Sequence, residues 1–494
     1  MSAAAEAPGD WLRKRAALSP SAPALFVDRT VVTWADLDAR VDGVAAALAT
    51  RGVAAGDRVA VLLPNGLPLV ELVYAVPRAG AVLVPLNTRL AAAELAWQVD
   101  DAGARVIIFD DATAPLAAAA ASTHGALVHA GDLCAAVRPV GASAPLSGIA
   151  PPSLGDVHSI IYTSGTSGRP KGVMLTFGNH LWSALGSALN LGLDPADRLL
   201  ACLPMFHVGG LAVLLRSAIY GHPAVVHPSF DAQRVNAAID DGATIVSVVA
   251  TMLARVIEAR GPVPYPPTLR AVLLGGGPAP RPLLEACAAR CVPVVQTYGL
   301  TEAASQVATL APADALRKLG SAGKALFPTD IRIDHADGEA APGEAGEILV
   351  RGATVSPGYW NRPEETAEVF RDGWLRTGDL GRVDDEGYLY VLDRRDDLII
   401  SGGENVYPAE VEAVLLSHPA VAEAGVYPRE DARWGSVPAA RVVLRPGMSV
   451  ASGDLRRFCR ERLAAYKVPV EITFASTLPR TPAGKLQRRL LSGP

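Results

Sequence analysis

The segment Tyr162-Thr-Ser-Gly-Thr-Ser-Gly-Arg-Pro-Lys-Gly172 concentrates small hydroxyl residues, glycines and a single lysine directly after an apolar strand candidate at 159–161. Glycines let backbone N–H groups approach an oxyanion closely, hydroxyls add further donors, and Lys171 supplies charge. That combination suits a triphosphate. A flexible Ser/Gly-rich surface loop would share the composition. The segment is not a Walker A loop, because Lys171 is followed by Gly172 rather than Ser or Thr and the glycine spacing differs. An ordinary P-loop ATPase is thereby disfavoured.

The elements that must hold such a loop follow an α/β rhythm. Apolar residues fall at helical spacing over 34–51, a short strand pattern covers 58–63, helix returns at 71–76, and strands follow at 81–84 and 106–109. Repeated alternation predicts parallel strands joined by crossover helices. The rhythm resumes with strands at 224–226, 244–249 and 271–274, gives way to shorter, turn-rich strands between 331 and 390, and returns as a separate small unit in the last hundred residues. The alanine-rich run at 116–121 reads as a surface helix. The Pro/Gly/Ser/Ala-rich 138–156 reads as a connecting loop.

With 494 residues, half of them hydrophobic and 19% charged, the chain can bury more than one core and is not mainly disordered. A net charge of −5 without long like-charge blocks argues against a nucleic-acid or anionic-lipid partner. The five cysteines are odd in number, scattered and without a Cys-x-x-Cys pair, so neither structural disulfides nor a zinc site is expected. The N-terminus is acidic before it is basic and lacks the apolar core of a secretory signal. The longest charge-free apolar stretch, 199–215, is broken by Pro204, His207, Gly209 and Gly210 and falls short of a membrane span. A reducing cytoplasm is the expected location, with no stable membrane insertion.

The loop resembles the signature of the acyl-adenylate-forming superfamily, which includes acyl-CoA synthetases, luciferases and peptide-synthetase adenylation domains. Further segments resemble that superfamily's motifs in the same order. They are Gly275-Gly-Gly-Pro-Ala-Pro280, Gln296-Thr-Tyr-Gly-Leu-Thr-Glu302, Trp374-Leu-Arg-Thr-Gly-Asp379, Asp393-Arg-Arg-Asp-Asp397 with Ser401-Gly-Gly-Glu-Asn405, and Pro482-Ala-Gly-Lys485. The resemblance implies a large N-terminal domain, 1–394, of parallel α/β sheets with a small β-barrel-like part. A hinge at 395–396 and a smaller mobile α+β domain, 397–494, would follow.

It also implies a two-step reaction with ATP, Mg2+ and coenzyme A as co-substrate. A carboxylate attacks the α-phosphorus to give acyl-AMP and pyrophosphate, and a thiol then displaces AMP. Carboxylate and triphosphate repel each other, so the first step needs cations and directed donors. Lys171, Lys485 and magnesium answer that need. Thr163, Ser164, Gly165, Thr166, Ser167 and Gly168 would line the phosphates together with Thr301, and Glu302 would hold the metal as a hard ligand. Gly275, Gly276 and Gly277 would flank adenine with Gln296, Thr297 and Tyr298. Asp379 would take both ribose hydroxyls, and Arg394 would reach ribose or phosphate as a permanent cation. Asp396 matches the hinge position. After domain rotation, Ser401, Gly402 and Gly403 would line the thiol tunnel, with Trp434 packing near CoA or, as the alternative, serving as a core residue.

Pro204-Met-Phe-His-Val-Gly-Gly210 resembles the motif whose aromatic and histidine line the acyl pocket, which assigns His207 to the substrate. The stretches from Gly210 to Gly221, Arg317 to Lys324 and Asp397 to Asn405 are most similar to the o-succinylbenzoate:CoA ligase branch. A ligase for another aromatic or medium-chain acid is the alternative. A dicarboxylate substrate needs its second carboxylate held, and Arg216 is the candidate, against the alternative of an arginine snorkelling from a surface helix. Ser305 and Gln306 could add polar contacts. The implied partner is a small-molecule carboxylic acid, and a homodimer is compatible with the resemblance.

Overall fold

The computed structural model describes residues 10–27, 30–121, 126–134, 151–163, 170–277, 279–335, 338–394, 397, 399–401, 404–431, 434–463, 465–480 and 486–492. The α/β rhythm resolves into two large sheets. One has six strands in the order Ala126–His129, Ala104–Phe109, Arg58–Leu62, Val82–Pro85, Val157–Thr163 and Lys171–Thr176, all parallel except the last. The other has nine strands, with a parallel centre that includes Ile245–Val249, Ala271–Gly275 and Val294–Tyr298 and antiparallel strands towards its edges.

Strands buried on both faces need helices on both. Between the two sheets lie the helices Trp34–Thr50, Leu67–Arg78 and Val208–Tyr220, whose Val44, Leu72 and Leu214 share one core with Val61 and Ile108 of one sheet and Leu25 and Ala201 of the other. The first of these helices begins in a capping box, Thr33 with Asp36. Arg78 closes the second by pairing with Asp10, Asp38 and Asp42. Ala232–Asp240 and Ala250–Arg260 cover the outer face of the nine-stranded sheet, and Ala92–Ala102 covers that of the six-stranded sheet. The alanine-rich run forms Ala114–Ala120, and it is less superficial than its composition suggests. Ala117 and Ala120 are buried because methyl side chains allow the helix to lie close to the sheet.

A third, antiparallel sheet contains Thr329–His335, Gly346–Gly352, Trp374–Val383 and Leu389–Arg394 and provides the turn-rich barrel-like part. The C-terminal α+β unit pairs Val421–Asp431 with Gly435–Leu444, and the helices Pro408–Leu416 and Ser452–Arg460 supply Val411, Leu415 and Leu455 to its own small core. Among the described residues no helix is long and apolar enough to cross a membrane.

Two buried histidines make this core pH-sensitive. His158 packs between the rings of Trp11, Phe177 and His180, and burial holds its pKa down at about 3. His180 lies well below the ordinary histidine range through burial first, then the charges of His158 and Arg216. In the unfolded chain both take protons near pH 6.5, whereas the folded protein refuses them, so stability is present above that pH and lost as pH falls below it. The expected loss is about 1.4 kcal/mol per pH unit for each histidine. Thermal melts between pH 7 and about 4.5 should show this slope, reduced by about half in His158→Phe.

Candidate active site

The phosphate-loop segment is the connection of a hairpin. Val157–Thr163 and Lys171–Thr176 pair so that Thr163 stands opposite Lys171, which brings the two ends of the loop together. Gly172 must lack a side chain, since a Cβ there would stand 2.7 Å from Ile160 Cγ2. Ser164, Gly165, Thr166, Ser167 and Gly168 lie outside the described residues.

Lys171 Nζ lies 2.7 Å from Glu365 Oε2 and 5.2 Å from the ring centroid of Tyr359. The Tyr359 hydroxyl in turn donates to Glu302 Oε1 at 3.1 Å. Glu302 occupies the short 3-10 turn Thr301–Ala303, and its backbone carbonyl accepts from the Ser356 N–H at 2.8 Å. Residues far apart in the chain thus converge on one tyrosine. Among the described residues no cation pairs with Glu302, and the phenol engages only Oε1, so the carboxylate suits a hard divalent ion. Tyr359→Phe should leave the fold intact and raise the magnesium concentration needed for half-maximal rate by about 10- to 100-fold, the loss of one hydrogen bond to a charged group. A magnesium titration of initial rates measures it.

Gly275 ends the strand Ala271–Gly275, and Gly276 and Gly277 continue at φ of +80° and +154°, values that favour glycine. On the neighbouring strand Val294–Tyr298, Gln296 stands opposite Leu274, and Thr297 packs against Gly275. The Tyr298 hydroxyl donates to Asp379 Oδ2 at 2.7 Å, across a separation that sequence alone does not bridge. Asp379 is buried, its N–H donates to Thr377 Oγ1 at 3.1 Å, and it pairs in register with Arg394 of Leu389–Arg394. The glycines, the Gln296–Tyr298 strand and the Asp379 carboxylate therefore form one wall. The side chain of Arg394 is outside the described residues.

On the acyl side, His207 precedes the helix Val208–Tyr220, with its ring edge-to-face against Phe206 at 4.6 Å. Gly210 permits the tight entry into that helix, because a Cβ would meet the Pro204 carbonyl at 2.2 Å. Arg216 is not a snorkelling surface residue. It is only 7% exposed, its Nη2 donates to Ser183 Oγ at 3.2 Å, and its Nε–H is buried without a partner. Among the described residues no carboxylate pairs with it, and burial lowers its pKa from the usual arginine value. The Ser183 hydroxyl donates to the Ala304 carbonyl at 2.6 Å, which joins Arg216 to the turn after Glu302. That turn is unusual: Ala304 and Ser305 have φ of +51° and +103°, and Gly299 must be glycine because a Cβ would fall 1.6 Å from the Ser305 carbonyl. Gln306 is buried with Oε1 unpartnered. Arg216 is thus linked through Ser183 to Ala304, the residue before Ser305.

In the C-terminal unit, Ser401 pairs with Gly435, which sets the segment of Ser401 beside Trp434. Trp434 is 47% exposed, so it is not a core tryptophan, and its backbone N–H donates to Asp431 Oδ1 at 3.0 Å. Asp396, Gly402, Gly403 and Lys485 lie outside the described residues. Arg488, three positions after Lys485, bridges Glu412 at 2.8 Å and Asp397 at 2.7 Å.

Residues 12–360 match the AMP-binding enzyme family and residues 410–485 match the AMP-binding enzyme C-terminal domain. The chain belongs to the AMP-binding enzyme family. Among its relatives is 2-succinylbenzoate–CoA ligase of Geobacillus kaustophilus (strain HTA426), 52% identical over 488 residues that cover 98% of this chain and 97% of the relative. Among solved structures it is similar to o-succinylbenzoate CoA synthetase from Bacillus subtilis in complex with the acyl-adenylate intermediate OSB-AMP. The TM-score there is 0.92, at 44% identity and 98% coverage of both chains. The complex of the same enzyme with ATP and magnesium scores 0.91 at 44% identity, covering 98% of this chain and 99% of that one. A double mutant bound to the product analogue OSB-NCoA scores 0.75 at the same 44% identity and 98% coverage of both.

As a member of the AMP-binding family the chain carries its motifs where the fold can use them, but three site residues were not singled out in the sequence. Tyr359, Ser183 and Glu365 lie outside the recognised motifs. Tyr359 follows a glycine and precedes a tryptophan in Gly358-Tyr-Trp360, a weak aromatic signal. Ser183 is one of several serines on the helix Phe177–Leu191, with nothing in its spacing to distinguish it.

Proposed function

We propose that this chain is an ATP- and magnesium-dependent, AMP-forming ligase that converts o-succinylbenzoate to o-succinylbenzoyl-CoA through an acyl-adenylate, a step of menaquinone biosynthesis. The observation that carries the choice of acid is Arg216, a buried cation with a neutral partner on one nitrogen and an unpartnered Nε–H. An isolated buried charge is costly, and a second substrate carboxylate compensates it. A monocarboxylic acid would leave that cost uncompensated.

The phosphate loop from Thr163 to Gly168, with Lys171, holds the triphosphate, and Tyr359 steadies the Glu302 carboxylate against its oxygens. Magnesium, when bound, neutralises charge on the phosphate oxygens. Thr301 donates to phosphate, Gly275 to Gly277 and Gln296 to Tyr298 enclose adenine, and Asp379 and Arg394 fix the ribose. With the nucleotide clamped and Arg216 holding one carboxylate, the other attacks the α-phosphorus and pyrophosphate departs. Lys485 stabilises the charge gathered there once the unit 397–494 docks on 1–394. Rotation about Asp396 then brings Ser401, Gly402, Gly403 and Trp434 to the acyl-adenylate, where they guide the CoA thiol to the acyl carbon and AMP leaves. His207 packs against the acyl group, with Ser305 and Gln306 at its polar end. ATP and CoA place the reaction in the cytoplasm.

Pyrophosphate release from the purified protein tests this, with o-succinylbenzoate, benzoate and a medium-chain fatty acid each offered with ATP and magnesium, with and without CoA. Turnover of the diacid, with CoA consumed one for one, is expected. Preference for a monocarboxylic acid would retain the ligase chemistry and overturn the diacid assignment.

A further inference from the structure

The helix Phe177–Leu191 presents Ser183 to two neighbours at once. Its hydroxyl is 2.6 Å from the Ala304 carbonyl and 3.2 Å from Arg216 Nη2, and Ser183 is itself 4% exposed. A serine hydroxyl has one proton and two lone pairs. A carbonyl can only accept and a guanidinium can only donate, so both contacts are satisfied in one way: the proton goes to Ala304 and a lone pair receives Arg216. With its proton committed, Ser183 has none to offer an incoming carboxylate and cannot bind the acid itself. What it can do is aim the guanidinium.

We propose that Ser183 is a positioning residue for substrate selection, orienting Arg216 towards the distal carboxylate of the acid and tying it to the turn that follows Glu302. The inference rests on the reading of Arg216 given above. The His180 ring and the Tyr220 hydroxyl lie near enough to feel the charge of Arg216 but make no hydrogen bond to it, so among the described residues Ser183 is the side chain that can set the rotation of its planar fork. The bond from Ser183 sets that rotation and leaves Nε–H for the acid. The same hydroxyl braces Ala304, whose left-handed backbone, with that of Ser305, shapes the polar end of the acyl site. Loss of the hydroxyl should therefore weaken recognition of a diacid while sparing an acid that makes no demand on Arg216.

The test compares full-length wild type, Ser183→Ala, Ser183→Thr and Arg216→Met by pyrophosphate release. The acids are o-succinylbenzoate and the two keto-monoacids obtained by removing either carboxylate. The readout is the ratio of kcat/KM for the diacid to that for the better monoacid. Wild type should show a large ratio, Arg216→Met a ratio near one, and Ser183→Ala a ratio lowered by about 10- to 50-fold, carried by KM for the diacid. Ser183→Thr, which keeps the hydroxyl, should return to within about threefold of wild type. AMP binding and the thermal melt confirm that each variant is folded. A wild-type ratio retained in Ser183→Ala, or an equal loss with diacid and monoacid, would overturn the role of Ser183 alone. A wild-type ratio near one, or one unmoved in Arg216→Met, would overturn the reading of Arg216 and this proposal with it.

Discussion

Arg216→Met is expected to lower kcat/KM for o-succinylbenzoate by on the order of a hundred- to a thousandfold, the cost of removing one partner of a buried charge pair. The same substitution should raise the thermal stability of the ligand-free protein. In the free protein Arg216 is a buried cation with no carboxylate facing it among the described residues, and replacing uncompensated charge by a side chain of similar volume removes a desolvation cost of about 1 to 4 kcal/mol. Activity and stability therefore move in opposite directions, which separates this outcome from simple misfolding. Kinetics with diacid and monoacid, together with a melt of the free protein, measure both. A variant that loses stability and treats all acids alike would show that Arg216 is structural.

Lys485→Ala should divide the two half-reactions. The first brings an anionic nucleophile to an anionic phosphate, and a cation at the reacting oxygens is worth about 10²- to 10³-fold when lost from such a site. The second begins from the mixed anhydride, already activated, and on the proposed mechanism it proceeds with the C-terminal unit turned, so that Lys485 is withdrawn and the segments of Ser401 and Trp434, paired through Gly435, face the acyl group. Pyrophosphate release should fall by about two to three orders of magnitude, whereas thioester formation from supplied acyl-adenylate and CoA should stay within about threefold of wild type. Single-turnover measurements of each half-reaction decide it. Equal loss in both steps would mean that Lys485 serves the fold or the docking of the unit rather than the adenylation chemistry.

The Tyr359 hydroxyl shows why part of the site was out of reach of sequence reading. Glu302 was recognisable as a carboxylate in an ordered motif, but what orients it is a phenol 57 positions away, delivered by a loop whose own sequence has no catalytic character. Asp379 and Tyr298 were each assigned to the nucleotide, yet their hydrogen bond across 81 positions depends on how the antiparallel sheet abuts the nine-stranded one. Arg216 was the sharper case. An arginine in an apolar helix supports two opposite readings, a solvated end or a buried cation, and the helical period is the same in both. Its place on a helix between the two large sheets, where it is only 7% exposed, settles the matter in favour of the buried cation.

Helix and strand periods were enough to establish the α/β rhythm, and the ordered segments that resemble the family's motifs pointed to candidate nucleotide-binding groups, because both signals are written over short distances. The tertiary structure alone decided which groups meet. Lys171 and Glu302 converge on Tyr359, Ser401 comes beside the segment of Trp434, and Ser183 joins Arg216 to the turn after Glu302, each through contacts between elements distant in the chain. Such contacts are set by the packing of sheets on helices and by the limited number of partners a buried polar atom can find, and neither has a local signature in the order of residues.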